Sequence, residues 1–430
     1  MAISGRAVLL GLLGVVVVGL VPGWGAFGAW LGGVGLVVAA DALLAGSPRQ
    51  VRIARRVGGG VRLGEQATSE LLLTNVGRRA VRGVVRDAWQ PSAGALVTRH
   101  PLDLPPGERR RVVTTLLPTR RGDRLADRVT LRAWGPLRLA ARQASVSVPG
   151  TLRVLPPFTS RKHLPSKLAR LRELDGRASV RVRGQGTEFD SLREYVVGDD
   201  VRSIDWRATA RRQQVVVRTW RPERDRRVLL VLDTSRTSAA RVGDAPRLDA
   251  AMDAALLLAA LASRAGDRVD LVAVDRRVRA RVSGATGTAL LPALVNAMAP
   301  LEPELVEADW PFVVGEVRRR LTQRALVVLL TPLEAAAVEE GLLPVASRLT
   351  RLHTVLVASV ADPAVHAMAR LRGTSVDVYS AAAAERGELD RQAVTAGLVR
   401  AGVEVVDASP ASLPPRLADT YLALKAAGRL

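Results

Sequence analysis

The sequence predicts a multidomain chain: an N-terminal transmembrane helical hairpin, an antiparallel β-sandwich, and a C-terminal α/β domain built on a mainly parallel sheet. Three observations carry this reading. The first 46 residues hold almost no charge. Residues 51–148 alternate apolar and polar positions between turn signals. From residue 227 onward, continuous apolar runs of strand length alternate with stretches of helical period. A chain of 430 residues has room for two or three such domains.

Residues 7–21 and 24–40 are uncharged, and Pro22-Gly23 separates them. A spanning helix needs about 20 apolar residues, with a lower limit near about 17. The second stretch meets this; the first does so only if it begins near Ile3. Trp24 and Trp30 suit a membrane–water interface. Arg6 lies before the pair and Arg49, Arg52, Arg55 and Arg56 lie after it, so both ends should be cytoplasmic, with Pro22-Gly23 as the outer turn. A cleaved signal peptide is the competing reading, but no small-x-small cleavage pattern precedes Trp24. Residues 1–46 are therefore assigned to a multi-pass anchor in the cell membrane with the soluble domains cytoplasmic, and the basic stretch 49–56 is expected on anionic lipid.

Residues 47–150 form the expected sandwich. Alternating runs at 68–73, 81–86, 110–116, 128–133 and 144–148 are punctuated by Asn75-Val76-Gly77, Pro105-Pro106-Gly107, Arg121-Gly122-Asp123 and Gly135-Pro136. No catalytic constellation stands out there, and a spacer or docking role follows. Residues 151–224 comprise a Pro- and Arg-bearing linker of unassigned fold and a motif-rich segment.

In the last region, 225–430, strands are expected at 227–232, 269–274, 325–330, 354–359, 376–379 and 403–405. Helices are expected at 248–265, 289–299, 313–321, 342–349, 364–371, 390–401 and 412–427. Apolar strands alternating with helices indicate a sheet covered on both faces, whose ligands sit at the carboxyl ends of the strands. Asp233 falls at such an end.

Composition limits the chemistry. With no cysteine there is no disulfide, thiolate metal site or thiol nucleophile. The net charge of +22 is almost entirely Arg, with Lys only at 162, 167 and 425. An anionic partner would use such charge, but a GC-rich coding bias produces the same composition. Aromatics at 3% leave little for base stacking, so no nucleic-acid partner is expected. His100, His163, His353 and His366 have no ligand spacing. Neither a G-x-x-x-x-G-K-[ST] phosphate loop nor a G-x-S-x-G elbow occurs. We read the chain as non-enzymatic.

The densest motif runs from Gly186 to Arg211. It contains Leu192, Arg193, Tyr195, Gly198, Asp199, Arg202, Ile204 and Trp206 in the order Leu-Arg-x-Tyr-x-x-Gly-Asp-x-x-Arg-x-Ile-x-Trp. This run, with Pro222-Glu223-Arg224 leading into a strand, resembles the hallmark of the bacterial family called domain of unknown function 58, and the resemblance extends from the hairpin to the C-terminus. Glu188, Asp190, Glu194, Asp199, Asp200 and Asp205 could hold a hard cation. The Arg residues between them, at 193, 202, 207 and 211, compete for each carboxylate, which favours an ion-pair network. Tyr195 and Trp206 are expected in an adjacent core. Arg193, Tyr195, Gly198, Asp199, Asp200, Arg202, Asp205 and Trp206 are the candidate partner-binding set.

Asp233-Thr234-Ser235-Arg236-Thr237 resembles the D-x-S-x-S/T motif of von Willebrand factor A domains, so the last domain is expected to be a Rossmann-like α/β fold of that kind. The resemblance implies Mg²⁺ on Asp233, Ser235 and Thr237, with Thr286 or, by preference, Thr288 as a further ligand. The final Asp of that pattern falls on Pro332 in Leu330-Thr331-Pro332-Leu333, so the site is degenerate. Family resemblance further implies a MoxR-type AAA+ ATPase as partner, in the maturation of protein complexes or of the cell envelope, with this chain as membrane-anchored adaptor. The alternatives are a metal-dependent hydrolase using the acidic segment and an Arg-driven nucleic-acid binder.

Overall fold

A computed structural model describes residues 2–181, 188–221 and 226–430; the side chains of 175–191 and 219–225 lie outside that description. The chain divides into two compact units, Met1–Leu155 and Pro156–Leu430.

The first unit opens with Ala2–Ile3, paired antiparallel to Ala140 and Ala141. Short helices Gly5–Leu12 and Gly14–Leu20 follow, then the 21-residue helix Trp24–Leu44. Among the described residues one helix is long and apolar enough to cross a membrane, running through Trp24–Gln50. The expected hairpin of two spanning helices is corrected on this point. Gly5–Leu20 is broken at Leu13 and reaches only about 24 Å at 1.5 Å per residue, short of a hydrocarbon core of about 30 Å.

Asp41 lies inside the long helix and is buried. Its carboxylate accepts hydrogen bonds from the backbone N–H groups of Leu137 (2.7 Å), Leu139 (2.8 Å) and Ala140 (2.9 Å). Ser4 donates its N–H to the Leu139 carbonyl. Both ends of the helical region are thus tied to one hairpin, residues 135–140. Gly135 has no room for a side chain, because a Cβ would run into the Asp41 carboxylate.

Two antiparallel sheets make the sandwich. One has the order Ala2–Ile3, Ala140–Leu155, Gly122–Trp134, Val81–Trp89, Arg99–Leu104; the other has Val51–Val57, Ala67–Asn75, Arg109–Leu116. Strand Ala67–Asn75 buries every second residue, and Leu71 and Leu73 meet Val85, Leu104, Val129 and Leu131 of the facing sheet. The last strand extends to Leu155, five residues past the expected boundary. Residues 51–57, read as a lipid-facing flank, form a sandwich strand. Arg55 is buried within it, paired with Asp87 at 2.8 Å and bonded to the Val148 carbonyl and the Ser69 hydroxyl.

The second unit carries a six-stranded sheet, labelled here β1 (Arg227–Asp233), β2 (Arg268–Val274), β3 (Val278–Val282), β4 (Leu326–Leu330), β5 (Thr354–Val360) and β6 (Glu404–Ala408). Its order is β3-β2-β1-β4-β5-β6, parallel except for β3, which runs antiparallel to β2. Leu229 and Val231 of β1, with Val327 and Leu329 of β4, pack under helices Trp310–Arg320, Leu343–Thr350 and Ser375–Arg400. The alternate residues turn to the other face, where Arg247–Arg264 and Leu413–Ala426 pack together.

One expectation changes among these elements. Residues 376–379 are helical rather than a strand, because Thr374 and Asp377 form a capping box that starts helix Ser375–Arg400 just before them. The segment after 155, read from sequence as a linker of unassigned fold that could wrap the next domain, lies against that domain. Asp253 accepts from Thr159 Oγ1 (2.7 Å) and Ser160 Oγ (2.7 Å), and Asp419 pairs with Lys167 and Arg170, so helix Leu164–Arg181 is docked on the domain.

Candidate functional site

The motif-rich segment folds as a hairpin with an insertion. Glu188–Glu194 pairs antiparallel with Val216–Arg221, and between them lie a turn, the 3-10 helix Val201–Ser203 and the helix Trp206–Arg212. Arg193 donates two parallel bonds to Asp199, at 2.8 and 2.6 Å. The fork matches the carboxylate geometry, and this bonding holds the Arg193 guanidinium firmly protonated. Asp199 also accepts from the Val196 N–H at 2.9 Å. Asp199 N–H closes the turn onto the Val196 carbonyl, and Gly198 sits inside it at φ +109°, a conformation side chains disfavour.

Asp200 caps the 3-10 helix through the Arg202 N–H at 2.9 Å. Asp205 caps the next helix through the N–H groups of Arg207 and Ala208, both at 3.0 Å, and accepts from Arg218 at 2.8 Å. The Ala208 N–H and the Arg218 guanidinium hold its carboxyl below the usual carboxylate range. Tyr195 is half-buried, its N–H bonded to the Val215 carbonyl.

Asp199, Asp200 and Asp205 are thus committed to ordering the segment. Of the arginines expected to pair with these carboxylates, Arg193 does so, and Asp205 takes Arg218 instead. Glu188 and Asp190 have side chains outside the described residues, as do Pro222, Glu223 and Arg224. One expectation fails: Trp206 is not in a core. It is 69% exposed, and Val197 is 94% exposed, with Val196 and Val201 also open to solvent. Among the described residues, the seven-residue helix on its two-stranded hairpin meets no second layer against which to bury its first residue.

Asp233 ends β1 and is only 4% exposed. It accepts from Ser235 N–H (2.8 Å), Thr237 Oγ1 (3.3 Å) and Thr331 Oγ1 (2.7 Å). The Ser235 and Thr237 hydroxyls are 3.2 Å apart. Burial pushes the Asp233 carboxyl up, against the pull of these donors. Asp233, Ser235 and Thr237 therefore do come together. Thr288 does not join them. β3 runs antiparallel and pairs Val282 with Leu271, so the chain leaves β3 toward the amino ends of the sheet, opposite Asp233. Sequence reasoning missed Thr331. It lies one residue before Pro332 in the loop already singled out; the signal was a hydroxyl directly after a core strand.

The neighbouring carboxylates are bound elsewhere. Asp275 accepts from Thr234 Oγ1 and Arg279, Glu304 pairs with Arg279, Glu307 with Arg236, and Glu334 with Arg247. Backbone bonds from Glu304 N–H to the Thr234 carbonyl and from Arg236 N–H to the Val306 carbonyl draw the 302–309 loop over this end of β1. Mg²⁺ prefers six oxygens with carboxylate charge among them. One carboxylate whose oxygens already accept three protein donors is a poor fit, and among the described residues no cluster of three His, Asp or Glu could hold a metal.

Residues 191–404 match the family model described as protein of unknown function DUF58. An uncharacterized protein of Mycobacterium bovis and two of Mycobacterium tuberculosis strains are each 29% identical over 183 residues, 42% of this chain and 56% of theirs. The chain thus aligns with little more than half the length of these curated relatives. Among solved structures, the CARDB domain of the Pyrococcus furiosus PF1109 protein matches 24% of this chain and 91% of its own, at 17% identity and TM-score 0.19. A PapD-like domain of human CEP192 matches 24% of this chain and 84% of its own, at 15% identity and TM-score 0.19.

Proposed function

We propose that this chain is a membrane-anchored, non-enzymatic adaptor that docks a MoxR-type AAA+ ATPase through the segment from Arg193 to Trp206, in the maturation of protein complexes or the cell envelope. The observation that carries the reading is the exposure of Trp206 and Val197 on a segment otherwise fixed by Arg193–Asp199, Asp205–Arg218 and three capping bonds. A large aromatic held open on a rigid support is what a protein-binding hot spot requires. The Asp233 face is the weaker docking candidate, because its side chains are buried under the 302–309 loop.

Two further parts of the reading are inferences. The sheet order with its antiparallel edge strand, together with the Asp233-to-Thr237 motif at the end of β1, supports a von Willebrand factor A-like domain. The apolar helix Trp24–Leu44 supports anchoring in the membrane, with the soluble units in the cytoplasm. A hydrolase built on the acidic segment is disfavoured, since Asp199, Asp200 and Asp205 are spent on structural bonds.

The test is affinity purification of the detergent-solubilised full chain, with and without Mg²⁺ and ATP, followed by identification of co-purifying proteins. Wild type and Asp233→Asn should retain the ATPase and Trp206→Ala should lose it. Retention by Trp206→Ala would move the interface away from this segment. No ATPase under any condition would sink the partnership.

A further inference from the structure

We infer that Thr331 takes the place of a cation at Asp233, so that the strand-end loops are locked by hydroxyl hydrogen bonds and are indifferent to divalent metal. The inference does not rest on the partner reading. Two loops converge on this carboxylate: Ser235 and Thr237 come from the turn after β1, and Thr331 from the turn after β4. β1 and β4 are adjacent and in register, Leu232 opposite Leu330, so the two turns meet without further adjustment.

A carboxylate this buried must be compensated by hydrogen bonds or by a bound cation. Here Thr331 Oγ1, at 2.7 Å, is the closest side-chain donor. A hard dication can use a hydroxyl oxygen but is held by carboxylate charge, and Asp233 is the one carboxylate among the residues gathered here. Thr331 points a proton at Asp233. Asp275, Glu304 and Glu307 would have to break ion pairs to make up the difference: Asp275 and Glu304 hold Arg279, and Glu307 holds Arg236. The lock is built from neutral donors and one charge, and one residue decides its chemistry.

Full-length protein in detergent should show the same melting temperature in EDTA, Mg²⁺ and Mn²⁺, and no saturable Mn²⁺ binding. Thr331→Val, which removes a donor and adds none, should melt lower and stay unresponsive to either ion. Thr331→Asp faces Asp233 with a second negative charge. It should melt lower in EDTA and be rescued by Mg²⁺ or Mn²⁺, by about 4 °C at tenfold excess over Kd. Saturable Mn²⁺ binding by wild type that Asp233→Asn abolishes would overturn the inference. So would a folded Thr331→Asp that neither ion rescues. If Thr331→Asp does not fold, the wild-type titration and the Thr331→Val melts decide the matter alone.

Discussion

Arg55 and Asp87 are the most consequential single residues of the sandwich. Both are buried, and Asp87 also accepts from the Trp89 indole N–H at 3.1 Å. Removing one partner leaves the other charge uncompensated in a low-dielectric interior. Asp87→Ala should therefore destabilise the first unit by about 3–5 kcal/mol, read as a lower urea midpoint at unchanged m-value. His353 is a different kind of buried group. Neither ring nitrogen has a hydrogen-bond partner among the described residues, and burial with the nearby Arg324 holds its pKa below 6.5. The unfolded chain takes up the proton near pH 6.5 while the folded chain resists it. This group's contribution to stability is therefore complete above that pH and declines as the pH falls through it. A His353→Leu protein should lose less stability than wild type between neutral and mildly acid pH; parallel losses in both would assign the dependence to other groups.

Among the elements, the turn carrying Gly198 and the helix behind Asp205 show how the segment from Arg193 to Trp206 is kept rigid. Gly198→Ala should cost about 1 kcal/mol or more, because the site lies at φ +109° with open space around it, making the effect conformational rather than steric. Asp205→Ala removes a cap shared by two N–H groups and should fray helix Trp206–Arg212. Faster amide exchange confined to residues 207–209 would show it; unchanged exchange would mean the cap is redundant. The long N-terminal helix is governed by Asp41 in the same way. Asp41→Ala strips the acceptor from three N–H groups at 137–140 and should expose that hairpin to exchange and proteolysis, leaving membrane association intact.

The whole molecule combines an apolar helix, a sandwich and an α/β unit that carries the docking segment. Strand Ala140–Leu155 begins beside Asp41 and ends where the first unit ends, a contour of about 50 Å at 3.3 Å per residue. Membrane association itself should depend on the Trp24–Leu44 helix alone. Leu36→Arg, at an outward-facing position, should shift the protein from the membrane to the soluble fraction, while a similar charge at Leu12 should have a smaller effect.

The sequence alone determined what periodicity and local chemistry encode. The apolar N-terminus, the alternating strands with Leu71 and Leu73 inward, and the apolar strands of the last unit were all legible, because burial on one face or two leaves a period in the chain. So were the Arg193–Asp199 pair and the caps at Asp200 and Asp205, since those bonds are local. Tertiary structure decided the rest. Only the fold could show that Trp206 faces solvent, because whether a tryptophan is covered depends on a second layer of chain. Only the antiparallel turn of β3 could place Thr288 at the far end of the sheet from Asp233. Thr331 reaches Asp233 across 98 residues of sequence; it is adjacent solely because β1 and β4 pair in parallel, a relation that no local pattern records.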